Sequence, residues 1–172
     1  AVGAGDVAAA VYAEEPLAPA ILRGKQLFND SFDRRLTRDG YIACAHCHPD
    51  GGTDGRVWDF TDRGEGLRRT TTLHGRAGLA HGPLHWSANF DEVQDFEHDL
   101  RGPFAGAGLM GDADFAGVDH PLADPKAGLS AELDALAAYV TSLSQARRSP
   151  WAQAGEAVAA GAALFDALAC AD

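Results

Sequence analysis

Cys44, Ala45, His46, Cys47 and His48 form a C-x-x-C-H run. This spacing is the attachment signature of a c-type haem. Two thiols two residues apart can add across the two vinyl groups of one porphyrin, and the adjacent imidazole then lies under the iron as proximal ligand. A chain built around such a group must wrap a flat, apolar body. Two other readings use the same residues. A redox C-x-x-C would follow a strand, and nothing strand-like precedes Cys44. Half of a zinc site would need a second Cys pair, and the third cysteine, Cys170, stands alone.

At 172 residues the chain can hold one full domain and part of another. Its 46% hydrophobic content is inflated by alanine, so the core is expected to be modest and a covalent haem to supply apolar bulk. The net charge of −11 argues against nucleic acid or anionic lipid and suits a basic redox partner. No apolar run reaches the length of a membrane span. Haem c is attached outside the cytoplasm in bacteria. A periplasmic or otherwise extracytoplasmic location is therefore expected, with a leader removed beforehand. With two cysteines assigned to haem, no structural disulfide is expected.

Periodicity predicts an all-α, cytochrome c-like chain: a few helices, with long loops wrapped around one covalent haem. Residues 1–18 read as an Ala-rich lead-in or linker, extended at Pro16 and Pro19. A first helix is expected over 19–28 and a short one at the haem motif. The stretch 49–111 is rich in Gly, Asp and Arg and reads as loop, except for helical spacing over 89–100. Residues 111–128 again read as loop. Ser130 looks like an N-cap, and Leu133, Leu136, Ala137, Val140 and Leu143 give the clearest apolar stripe, over 131–144. These elements place one haem domain at 19–146. Beyond it, Gly161, Leu164 and Phe165 repeat Gly24, Leu27 and Phe28, and Cys170 follows. Residues 147–172 are therefore expected to be a linker and the start of a truncated second haem domain.

The order helix, loop, C-x-x-C-H, long loops, amphipathic helix resembles a class I cytochrome c domain. Gly24 and Phe28 resemble the first-helix pair that crosses the last helix in that fold, with Tyr139 as aromatic partner. A closer likeness is to the bacterial di-haem cytochrome c peroxidase superfamily. Gly24-Lys25-Gln26-Leu27-Phe28, Asp39-Gly40-Tyr41-Ile42-Ala43-Cys44 and Cys47-His48-Pro49-Asp50 look like its first haem segment. Arg69-Thr70-Thr71-Thr72-Leu73 resembles its R-x-x-P-x-L run without the proline, and Trp86 sits where the family carries W-D-G. The likeness spans about 20–146.

An electron-carrying haem iron takes a second axial ligand. Met110 is the only methionine, 62 residues after His48, and Gly106-Ala107-Gly108-Leu109-Met110 resembles the loop that delivers Met in class I cytochromes. His74, His81, His85 and His98 compete, with His81 and His85 the best placed in a Gly- and Pro-bounded loop beside Trp86. Arg56, Trp58, Arg68, Arg69 and Arg76 are candidates to hold the haem propionates through guanidinium or indole N–H groups. Asp50-Gly51-Gly52-Thr53-Asp54-Gly55 offers oxygen ligands to calcium but lacks the glutamate and spacing of an EF-hand.

The first functional expectation is electron transfer by one covalent haem c, as one module of a multi-haem protein. Its partner would be a redox protein or a neighbouring haem domain. The resemblance implies an alternative, the haem domain of a di-haem peroxidase-like enzyme. A third reading is a haem-bearing interaction domain, tethered by the Ala-rich lead-in.

Overall fold

A Cβ added at Gly24 would overlap the backbone carbonyl of Ala135 and lie 2.8 Å from the Tyr139 Cβ. Only glycine therefore lets helix α1 (Pro19–Asn29) cross helix α5 (Ala131–Ser142) at backbone distance. In this computed structural model, which describes residues 14–170, that crossing is the main helix contact. Leu27 and Phe28 of α1 and Leu136 and Tyr139 of α5 form its buried cluster. The Phe28 and Tyr139 rings meet edge-to-face at 5.1 Å. Each such side chain stabilises by about 1.5–3 kcal/mol over its exposed state. Arg23 and Arg35 both pair with Glu132 at the rim, and Arg35 also pairs with Asp33 at 2.6 Å. Pro19 opens α1, where its missing N–H costs nothing. Ser130 caps α5, its Oγ accepting from the Leu133 N–H at 3.3 Å and donating to the Leu109 carbonyl at 2.8 Å.

The all-α expectation is corrected here. Strands β1 (Val57–Phe60) and β2 (Gly66–Arg69) pair antiparallel, Val57 opposite Arg69 and Phe60 opposite Gly66. The described residues are thus mixed helix and hairpin, with much of the chain in loops. The hairpin is too short for a helix-period search to register. Its alternation is nevertheless real, with Val57, Asp59, Leu67 and Arg69 exposed and Trp58, Phe60 and Arg68 half-buried. Gly64, at φ 77°, closes the turn between the strands.

Two smaller expectations also shift. The helix anticipated over 89–100 is a tight turn at Val93–Asp95 followed by helix α3 (Phe96–Arg101), because Asp95 turns back to accept the N–H groups of Asp91 and Glu92, both at 3.0 Å. The loop anticipated at 111–128 contains a short helix, α4 (Asp112–Ala116). It also contains Lys126, fully buried, with Nζ donating to Asp95 at 2.8 Å and to the carbonyls of Asp124 and His120 at 3.0 and 3.3 Å. A charge so buried is held only because every donor has an acceptor. Helix α6 (Gly155–Ala167) forms where the apolar pattern restarts, and none of its residues is buried. Most of the lead-in, 1–18, lies outside the described residues. No helix of the described residues is long and apolar enough to cross a membrane.

Candidate functional site

Helix α2 (Cys44–Cys47) is a single turn. Its first free N–H, that of Ala43, is capped by the His46 imidazole at 3.0 Å. The His48 N–H returns to the Cys44 carbonyl at 2.9 Å, and the turn presents Cys44, Cys47 and His48 to one side. That side is an apolar cavity of about 260 Å³, at the floor of a cleft whose empty space, open mouth included, is about 1680 Å³. Cys44, Cys47 and His48 line it together. α1 and α5 contribute Phe28, Leu136 and Val140, the hairpin contributes Trp58 and Phe60, and α3 contributes Phe96 and Leu100. The long loops of 49–104 form its other walls.

Burial pushes the Cys44 thiol up to about 11 and raises Cys47 as well. A thiol of the redox C-x-x-C kind needs the opposite shift. Among the described residues, no group of three or more His, Cys, Asp or Glu side chains gathers as a metal site, so the half-zinc reading finds no completing ligands there. Burial also lowers His48 below the ordinary imidazole value, against the backbone carbonyls of Gly52 and Thr71. The neutral ring is the form that ligates a metal. Its Nδ1 faces the Gly52 carbonyl at 3.3 Å, an acceptor that selects the Nδ1–H tautomer and leaves the lone pair on Nε2.

The two leading distal candidates part company. His85 lines the cavity, close enough to His48 to disfavour the charged form of the His48 ring. Its Nδ1 lies 2.8 Å from Asn89 Oδ1, which selects Nδ1–H here too. The ring sits 4.6 Å from Phe90 and edge-on to Phe96 at 5.1 Å. Its Nε2 lies 3.8 Å from the buried carboxylate of Asp99, beyond hydrogen-bond range. Met110 is buried in a different cluster, with Leu36, Leu100 and Leu133, and is not among the cavity residues. His81 is exposed, its Nε2 bonded to the Gly75 carbonyl at 3.1 Å. His74 and His98 also lie off the cavity wall.

Of the propionate candidates, Trp58, Arg68, Arg69 and Arg76 line the cavity and Arg56 does not. The tryptophans have no N–H to offer there. Trp58 donates to Asp54 at 3.0 Å and Trp86 to the Arg69 carbonyl at 2.8 Å. The three arginines remain. Arg68 Nε is a buried donor without a hydrogen-bond acceptor, 4.0 Å from the nearest Glu65 oxygen, as expected of a group that awaits a carboxylate. Asp54, in the calcium-like stretch, spends its oxygens on the Arg56 N–H at 2.9 Å and on Trp58.

No family model matches the chain, and neither curated proteins nor solved structures give a match. The resemblance to di-haem peroxidase domains therefore rests on the quoted motifs alone. Sequence reasoning missed Asn89 and Asp99 as neighbours of His85. The four-residue spacing of His85 and Asn89 was the available signal for the first, but Asp99 comes from another element.

Proposed function

We propose that this chain is an electron-transfer module carrying one covalent haem c. The observation that carries the reading is the convergence of Cys44, Cys47, His48 and His85 on one apolar cavity. The residues fit the group: two thiols, two imidazoles with Nδ1 already engaged, an apolar wall and an Arg68 Nε without an acceptor at one side. Bound there, haem supplies reversible one-electron chemistry of the iron. Cys44 and Cys47 would hold it through two thioether bonds. His48 would be the proximal ligand, oriented by the Gly52 carbonyl, and His85 the distal one, oriented by Asn89. Arg68, Arg69 and Arg76 would neutralise its carboxylates. The apolar walls would shield the bound group from water on the sides they cover, which limits reorganisation when the charge changes. Two imidazole ligands set a lower potential than His and Met. Haem c attachment would place the protein outside the cytoplasm.

The test is maturation of the chain with haem c, followed by mass and spectra of both redox states. One haem in mass and a bis-imidazole spectrum support the reading. A bare chain overturns it. A Met-to-iron band would return Met110 to the iron.

A further inference from the structure

We infer that Glu65 is a positioning residue for the distal imidazole, acting on His85 through Ser87 and Asn89 and holding the potential of the bound group low. The inference rests on the haem reading above. His85 sits in a tight loop closed by the bridge between Leu84 and Phe90, with the Leu84 N–H donating to the Phe90 carbonyl at 2.8 Å. His85 and Ala88 both take left-handed backbone, at φ 64° and 53°. Residues with a Cβ hold that conformation at a cost, and only where their surroundings fix it. Two bonds to the hairpin fix the loop here. Trp86 Nε1 donates to the Arg69 carbonyl at 2.8 Å, and Ser87 Oγ donates to Glu65 Oε1 at 2.9 Å. Glu65 stands in the turn just before β2, lines the cavity and has a side chain only 14% exposed.

From Ser87 the contacts run on to the imidazole. Ser87 Oγ also lies 3.1 Å from Asn89 Oδ1, and that same oxygen accepts the His85 Nδ1–H at 2.8 Å. A hydroxyl carries one hydrogen. It stands here between two acceptors, and the carboxylate is the stronger. Glu65 therefore draws the Ser87 hydrogen to itself and leaves Asn89 Oδ1 to accept from His85 alone. An acceptor not shared with a second donor binds the Nδ1–H more strongly. That raises the basicity of the Nε2 lone pair and favours ferric over ferrous iron. A neutral amide at position 65 is no better an acceptor than Asn89. The Ser87 hydrogen would then turn to Asn89 and weaken its hold on His85.

The experiment uses the full haem-loaded chain, with loading checked by its spectrum. It compares Glu65→Gln, Ser87→Ala and the two together, by redox titration and by the nuclear magnetic resonance signal of the His85 ring N–H in the ferrous state. The charge of Glu65, 4.0 Å from Arg68 Nε, also acts on the iron through space, and that effect does not depend on Ser87. The positioning effect needs the Ser87 hydroxyl, so the two separate in a double-mutant cycle. Glu65→Gln should raise the potential in both backgrounds. It should favour reduction about threefold more with Ser87 present than with Ser87→Ala, a difference of about 30 mV for one electron. The ring N–H signal should move upfield in Glu65→Gln and hold its place in the double variant. Equal potential shifts in the two backgrounds, or a ring signal indifferent to Glu65→Gln, would overturn the positioning role and leave the haem reading standing. A Met-to-iron band would take His85 off the iron and overturn the role as well. A chain that takes up no haem would overturn both.

Discussion

The buried carboxylate of Glu97 accepts the backbone N–H of Met110 at 3.1 Å and that of Leu109 at 2.8 Å. It is held in turn by Arg101, whose Nε donates to it at 2.7 Å and whose Nη2 donates to the Met110 carbonyl at 2.6 Å. This latch fixes the 106–110 loop with the Met110 side chain packed among leucines. Met110→Ala is therefore expected to cost about 2–5 kcal/mol of stability without changing the haem spectrum. His85→Ala should change the spectrum in both redox states. Chemical denaturation and spectra of the two variants check this. A shifted spectrum in the methionine variant with His85→Ala unaffected would reverse the assignment.

The same glycine-centred pattern occurs twice with different surroundings. Gly24→Ala should destabilise by about 1–3 kcal/mol or shift the helix crossing, since the new methyl meets the Ala135 carbonyl. Gly161→Ala meets nothing within 4 Å and should strengthen α6 by about 0.5–1 kcal/mol. Melting curves and helical circular dichroism compare the two. Equal losses would show that α6 is also packed in solution.

Acid should loosen the α1–α5 rim. The Arg35 guanidinium holds Asp33 below its usual value of 3.8. Burial opposes ionisation of Glu132, but hydrogen bonds from Arg23 and Arg35 outweigh it and hold this group below 4.5. Both folded-state values are depressed, so the stabilisation is complete above the unfolded values. It is lost as pH falls below about 4 and through the folded ones. Part-exposed pairs contribute modestly. Arg35→Gln should therefore lower the melting temperature at pH 6 and flatten its fall between pH 5 and 2. An unchanged acid slope would remove this cluster from the account.

Folding and haem attachment should be coupled. The cavity wall joins α1, α3, α5, the hairpin and the long loops, so a large apolar body inside it would give those segments a shared surface. Cys44→Ala with Cys47→Ala is expected to give weak helical signal and a broad, low-amplitude melt. A sharply melting, fully helical double variant would refute this.

Peroxide should be a poor oxidant of the reduced protein. If His48 and His85 both ligate the iron as proposed, no coordination position would be left, and peroxide needs two electrons where one haem would give one. Stopped-flow mixing should show slow oxidation by hydrogen peroxide and fast oxidation by a one-electron protein acceptor. Rapid, saturable peroxide turnover would favour the peroxidase-like reading, with Asp99 the first carboxylate to test.

The local elements were legible in the chain. The C-x-x-C-H run is a five-residue pattern, and the structure brings Cys44, Cys47 and His48 to one cavity wall. α5 announces itself by its apolar stripe and Ser130, and the Gly24–Phe28–Tyr139 crossing by residue type. All of these are short-range facts. The hairpin was missed because four-residue strands leave too little alternation to stand out among aromatics and arginines. That His85 and not Met110 lines the cavity was beyond reach for a different reason. It depends on which way a loop turns, and that is decided by Glu97 and Arg101 bonding to a backbone a dozen residues away in the chain. Likewise the turning of Arg68 to the cavity beside Trp58 follows from strand register, which pairing across space sets and local sequence does not.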